Sequence, residues 1–358
     1  FYTDGQTIYD ANHTIMPNGT GLMGHNSSSQ SSIIVKKPTS ISVYYLFTVD
    51  GASGITGDGL YYSIIDMSLN GGLGDVTSNK NTLLFNNSDE KVTAVKHQNG
   101  TDFWIISRLE NTNTYHSYLL TSTGLNIAPI VTNIGPVYSS VTIGYLKASP
   151  SGDMLVATNY DSSPKVNLFD FDNNTGILSN NQNFTNVPSQ PSYGIEFSQD
   201  GGLLYISTVD GSPGEVFQYN LNAGSFSDIN NSGLLVGVTN GSGGALQLAP
   251  DGKIYHANGQ PSVSNLSYIN NPDIVGVGCN YIVNAFILDV GTYAVYGLPT
   301  FFSSIFNSPP SGCDSVATAI ITINNSTSNY TNVTTCDSFI WALNGQTYYT
   351  SQVDTIQS

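Results

Sequence analysis

Charge is what this sequence has least of. Only 9% of its 358 residues are Asp, Glu, Lys or Arg, against roughly 25% in an ordinary globular domain. Arginine occurs once, at Arg108. With a net charge of −16 there is no basic face for a phosphate backbone, which excludes a nucleic-acid partner. The same charge disfavours anionic membrane surfaces. No apolar run reaches the roughly 18 residues of a membrane span, so direct membrane insertion is not expected. Cysteine is scarce as well. Cys279, Cys313 and Cys336 stand 34 and 23 residues apart, and those spacings match no compact zinc motif. No apolar stripe with a 3.6-residue period is found, which argues against long helices.

Glycine (36), tyrosine (22), Asn, Ser and Thr fill the space that charge leaves. That mixture suits many short strands joined by polar turns. The stretch "FSQDGGLLYISTVDGSPGEVFQYNL" (197–221) reads as a strand end, a turn, a strand over 203–208, a second turn and a strand over 215–221. The plan recurs in "KASPSGDMLVATNYDSSPKVNLFDFD" (147–172), in "QLAPDGKIYHANGQPSVSNLSYIN" (247–270) and, more weakly, in "KHQNGTDFWIISRLENTNTYHSYLLTS" (96–122). The turn glycines Gly100, Gly152, Gly201 and Gly252 are spaced by 52, 49 and 51 residues. A second column of turns, at Asp4-Gly5, Asp50-Gly51, Glu110-Asn111, Asp161-Ser162, Asp210-Gly211 and Asn258-Gly259, keeps a similar period. Such pairs favour turns with positive φ. A period near 50 with three or four strands per unit marks a β-propeller. The fold class is therefore all-β. Six units are countable, and "YAVYGLPTFFSSIF" (293–306) suggests the innermost strand of a seventh. Seven blades are expected, closed by strands upstream of Phe1, with six as the alternative.

The domains divide at a linker. Residues 1–307 form the propeller. "NSPPSG" (307–312) opens a second region over 308–358, in which Cys-Asp-Ser occurs at 313 and again at 336. There "ATAIITI" reads as a strand and "FIWALNGQTYY" as a hairpin, the start of a small all-β repeat module.

Few residues carry a chemical signal. Asp4, Asp50 and Asp210 could ring one rim with carboxylates, but turn chemistry accounts for them. Asp170, Asp172 and Asn174 alternate as in a calcium loop, yet Thr175 stands where glycine is needed and no bidentate Glu follows. His13, His25, His97, His116 and His256 are scattered, without metal-site spacing. Trp104, Trp341 and the tyrosines could stack on sugars, but form no cluster sharp enough to name a glycan site. No catalytic residue, metal ligand or cofactor is assigned, and a non-enzymatic protein is expected.

Four stretches carry a resemblance: "FYTDGQTIYDANHTIMPNGTGLMG", "EKVTAVKHQNGTDFWI", "GALQLAPDGKIY" and "GLPTF". Together with the two Cys-Asp-Ser segments, they resemble the propeller and repeat region of large, secreted, adhesin-like surface proteins of gliding Bacteroidetes. The resemblance implies export by the type IX system and an extracellular, cell-surface location. It also implies O-glycosylation at Asp-Ser/Thr followed by an apolar residue, which fits Ser315 and Thr355. In the resembling repeats Cys313 closes one module and Cys336 opens the next, so the partner of each lies outside these residues. The leading functional expectation is adhesion or recognition of a surface ligand or glycan, by a propeller displayed on a repeat stalk. The alternatives are a lactonase-like propeller hydrolase and a structural subunit of a surface layer or filament that contacts copies of itself or neighbouring surface proteins.

Overall fold

The computed structural model describes residues 1–302, apart from 52–58, 139–142, 161–164, 211–212 and 260–263. Beyond 302 it describes the backbone of strands within 316–354. The chain divides into two compact units, Phe1–Ser304 and Ile305–Ser358.

Local chemistry builds the first unit from one recurring hairpin. Gly100, Gly152, Gly201 and Gly252 take φ of 77°, 73°, 76° and 78°, a region that costs glycine nothing. Each donates its N–H to the carbonyl three residues earlier: His97, Ser149, Ser198 and Ala249, at 2.9–3.0 Å. This turn reverses the chain between the first two strands of four successive sheets.

Six antiparallel sheets follow one another among the described residues of the first unit. Sheet one holds Tyr2–Thr3, Thr7–Tyr9 and Ile15–Thr20. Sheet two starts with Ser32–Lys36, Val43–Val49 and Gly59–Asp66, and both Asp75–Val76 and Thr82–Asn86 pair with its third strand. Sheet three runs Ser88–Lys96, Phe103–Leu109 and Thr114–Thr121, with Gly124–Leu125 and Ile130–Asn133 on its outer edge. Sheet four is Leu146–Ala148, Met154–Thr158, Val166–Asp172 and Ile177–Asn183. Sheet five is Ser192–Phe197, Leu203–Thr208, Glu215–Asn220 and Leu234–Val238. Sheet six is Leu246–Leu248, Ile254–His256, Asn265–Ile269 and Tyr281–Ile287. The first strands of sheets three to six pack successively against one another, so they line the centre. The fold is a β-propeller, in which each sheet buries its faces on its neighbours.

The core is accordingly a series of layers between sheets. Ile33, Val35, Phe47, Val92 and Ile105 fill the layer between sheets two and three. Trp104, Ile106, Leu155 and Phe169 fill the next. Val156, Leu168, Ile195, Leu204 and Ile206 fill the one between sheets four and five.

Among the described residues six sheets stand, where seven blades were expected and six was the alternative. The stretch expected to open a seventh has no strand over 288–302, and 303–306 lie outside the described residues. It runs instead as a strap along the centre. The Tyr296 carbonyl accepts from Ala245 N at 2.7 Å. Phe301 N donates to Gln247 Oε1 at 3.3 Å. Phe302 is buried with Ile33 and Val35, its ring 5.5 Å from that of Phe103. A single segment without a hairpin partner meets its backbone and burial needs on existing sheets.

Among the described residues one short α-helix, Phe226–Asn231, and two 3-10 turns, Asn70–Gly72 and Gly276–Cys279, interrupt the β structure. Ser225 and Asp228 form a capping box at the start of the α-helix, a pattern present in the sequence as "SFSD" but too short for a periodic stripe to reveal.

In the second unit Val316–Ile323 pairs antiparallel with Asn329–Cys336 and parallel with Val353–Asp354. Phe339–Ile340 and Thr347–Tyr348 form a separate hairpin. Cys313, Ser315 and Thr355 lie outside the described residues. Cys336 ends a strand, opposite Val316.

Candidate active site

Most residues singled out by sequence are used locally. Asp4 accepts from the N–H groups of Gln6 and Thr7, and Asp50 from that of Gly51. Asp210 sits in its turn with φ 62°. Asp172 accepts from Asn174 N and from both Thr175 N and Oγ1, whereas Asp170 holds Asn180 Nδ2. The two carboxylates therefore serve separate partners. His97 lies against the Trp104 ring and accepts from Asn99 N. Tyr2 Oη lies 3.1 Å from His13 Nδ1, His25 accepts from Ser27 N, and His116 lies between Phe85 and Tyr118. His256 is fully buried, with Nδ1 2.8 Å from Tyr281 Oη and Nε2 accepting from Gly244 N. Burial pushes its pKa down to about 3, so it is neutral at physiological pH and a weak base. Cys279 is a buried free thiol.

The convergence of polar groups is elsewhere, at the end of the ring where the innermost strands begin. The strand Ser88–Lys96 enters there with three consecutive charged residues, Asp89, Glu90 and Lys91. Alternation along a strand sends Glu90 to one face and its two neighbours to the other. Glu90 Oε2 accepts from both the N–H and the Oγ–H of Ser29, each at 2.9 Å. Ser29 Oγ in turn accepts from Gly144 N at 3.0 Å. The Tyr193 phenol lies beside Ser29, and its ring meets that of Tyr145 edge-on at 5.3 Å. Burial raises both phenols, Tyr193 to about 12 and Tyr145 well above its ordinary value. Both are therefore neutral hydrogen-bond donors. Tyr145 Oη has no well-formed hydrogen bond among the described residues, although Tyr193 lies beside it. Glu90, Ser29, Tyr145 and Tyr193 are all buried.

Behind Glu90, between sheets three and four, lies a buried ion cluster. Asp89 receives Lys91 Nζ at 2.9 and 3.0 Å and Arg108 Nη2 at 2.8 Å. The guanidinium lies 4.8 Å from the centre of the Tyr138 ring. Tyr138 donates to Asn167, which is linked to Asn159 and Asn183. Burial lowers the Lys91 pKa to about 8 against the pull of Asp89. Burial also pulls Arg108 down, but Asp89, helped by Tyr115 and Tyr138, more than reverses this. The cluster locks the start of the strand that carries Glu90.

Protein groups fill the middle of the ring. The Gln30 side chain spans to the inner edge of sheet four, giving Nε2–H to Leu146 O at 3.1 Å and taking Leu146 N–H at 2.8 Å. Lys147 bonds Glu196 at 2.9 Å and Gln247 at 2.6 Å, and Glu196 accepts from Leu248 N. These bonds satisfy inner-strand groups that would otherwise face the axis unpaired. Among the described residues, the end where the innermost strands begin sets a carboxylate able to take a proton beside neutral donors able to stabilise a developing oxyanion.

Sequence reasoning did not find Glu90. Its signal was the run Asp89-Glu90-Lys91 at the head of an inner strand in a chain poor in charge. Its partners come from positions 29, 145 and 193, which no local motif connects.

No family model and no curated protein matches this chain. Solved structures similar in fold include a periplasmic gluconolactonase of Pseudomonas aeruginosa, 14% identical, covering 75% of this chain and 76% of that one with a TM-score of 0.45. Another is a putative 6-phosphogluconolactonase of Bacteroides uniformis, 17% identical, covering 80% and 89% with a TM-score of 0.41. A third is a protein of unknown function from Desulfotomaculum acetoxidans, 14% identical, covering 74% and 73% with a TM-score of 0.42. At such identity the likeness is one of fold. The expectation that put non-enzymatic adhesion first is corrected in its order: the similar chains include a gluconolactonase and two putative 6-phosphogluconolactonases, whose names stand nearer the hydrolase alternative.

Proposed function

We propose that this propeller is a lactonase-like hydrolase with Glu90 as its general base. One observation carries the reading: a carboxylate where the innermost strands begin, bonded to a hydroxyl and near neutral phenols. In this reading Glu90 takes a proton from the water that attacks the lactone carbonyl. Tyr145 and Tyr193 donate to the oxygen as it becomes negative. The ring C–O bond then breaks, the protonated Glu90 returns its proton to the leaving alkoxide, and a hydroxy acid results. Ser29 positions the carboxylate through its two hydrogen bonds. Titrating the acid released from aldonolactones, phosphodiesters and glycosides tests the reaction class. Turnover confined to lactones is expected, and the absence of lactone turnover above buffer contradicts the reading.

We further infer an extracellular, cell-surface location, on the resemblance to exported surface proteins. Glycans on Ser315 and Thr355 in protein isolated from its own host are the corresponding expectation, read by mass spectrometry of the C-terminal peptides. Cys313 and Cys336 are expected to pair with cysteines outside residues 1–358. A Cys313–Cys336 crosslink in non-reducing peptide maps contradicts that.

A further inference from the structure

The strap has no part in the proton transfers proposed above, yet it brings an aromatic ring beside Tyr193. Tyr296 is fixed by its backbone, since its carbonyl accepts from Ala245 N. The strap approaches so closely that a Cβ on Gly244 would come within 2.7 Å of that oxygen, and glycine at 244 is what permits it. The Tyr296 ring centre lies 6.4 Å from that of Tyr193, with the planes at 68°. The Tyr193 phenol lies beside Ser29, and Ser29 donates to Glu90. The sequence offered tyrosines without a cluster. The fold supplies one, because Tyr145, Tyr193 and Tyr296 come together from sheets four and five and the strap.

These three rings differ in one respect. Tyr145 and Tyr193 are buried, whereas Tyr296 is 39% exposed. A ring held by its backbone but open to solvent contributes little to the core. Beside the Tyr193 phenol, it offers an apolar platform next to a polar group. That pairing suits a sugar, whose C–H face covers an aromatic ring while its hydroxyls meet acceptors and donors.

We propose that Tyr296 is a saccharide-stacking subsite that selects lactones of sugar acids over aliphatic lactones. The choice of a lactone rests on the hydrolase reading, whereas sugar binding at Tyr296 does not require turnover. The experiment therefore has two readouts. Binding of gluconate, the open sugar acid, is measured by calorimetry on the wild type, Tyr296→Ala and Tyr296→Phe. Selectivity is measured as the ratio of kcat/KM for glucono-δ-lactone to that for δ-valerolactone. Tyr296→Ala is expected to weaken gluconate binding and to lower the selectivity ratio, each by about three- to tenfold. Tyr296→Phe, which keeps the ring, retains both. Wild-type protein that binds no gluconate, or Tyr296→Ala that binds it as tightly as wild type, overturns the subsite. Gluconate binding that depends on the Tyr296 ring, without hydrolysis of either lactone, upholds the subsite and removes the hydrolase reading alone.

Discussion

Sheets five and six start from the same turn, with Gly201 and Gly252 in equivalent places, yet their inner and outer strands end in different surroundings. Every residue of Ser192–Phe197 and of Leu203–Thr208 in sheet five is buried. The outer strands, Leu234–Val238 of sheet five and Tyr281–Ile287 of sheet six, have no buried residue, and Ile287 is 80% exposed. The repeated sequence encodes a hairpin. What the hairpin is worth depends on neighbours, and sheet five is packed between sheets four and six. Sheet six buries Ile254, His256 and Ile269, which alternation places on one face, while Tyr255, Tyr268 and Phe286 gather on the other.

The largest effect is expected at the interior ion cluster. Asp89→Asn leaves Lys91 and Arg108 buried without their shared carboxylate and should cost about 3–5 kcal/mol in denaturant unfolding. A loss within the error of measurement would mean that the interior sheets are held by apolar layers alone.

The comparison of inner and outer strands is sharpened by a matched pair. Ile206→Ala in sheet five removes a fully buried side chain and should cost roughly 2–5 kcal/mol. Ile287→Ala on the exposed strand should stay within about 0.5 kcal/mol. Similar costs at the two sites would break the distinction.

A smaller, pH-dependent effect separates the two faces of sheet six. Folded His256 stays neutral down to about pH 3, whereas an unfolded imidazole protonates near 6.5. Between those values the unfolded chain holds the extra proton, so stability falls as the pH drops through that window. His256→Gln should flatten the pH dependence of stability between pH 4 and 6.5 by about one proton. An unchanged slope would mean that His256 titrates in the folded protein.

The turns and the strand over 203–208 were legible because each depends on residues within a few positions. The positive φ of Gly152, Gly201 and Gly252 follows from local turn chemistry. The strap was legible only as an apolar stretch. Whether 293–302 pairs as a strand or lies along the axis depends on the inner edges of sheets it meets far along the chain, such as Ala245 and Gln247. The site was hidden for the same reason. Ser29 reaches Glu90 across 61 positions, and Gly144 reaches Ser29 across 115. Turn chemistry explained Asp4, Asp50 and Asp172 because it is local, and local explanation fails for Glu90.

The central claim is that Glu90 is the base of a hydrolytic site. The direct measurement is glucono-δ-lactone hydrolysis by wild type and Glu90→Gln at matched thermal midpoints, followed by proton release in weakly buffered solution. Glutamine keeps an oxygen to accept from Ser29 but cannot take the proton from water. The account predicts a loss in kcat of about 10²-fold or more, with KM little changed. Glu90→Gln turning over as fast as wild type would contradict it.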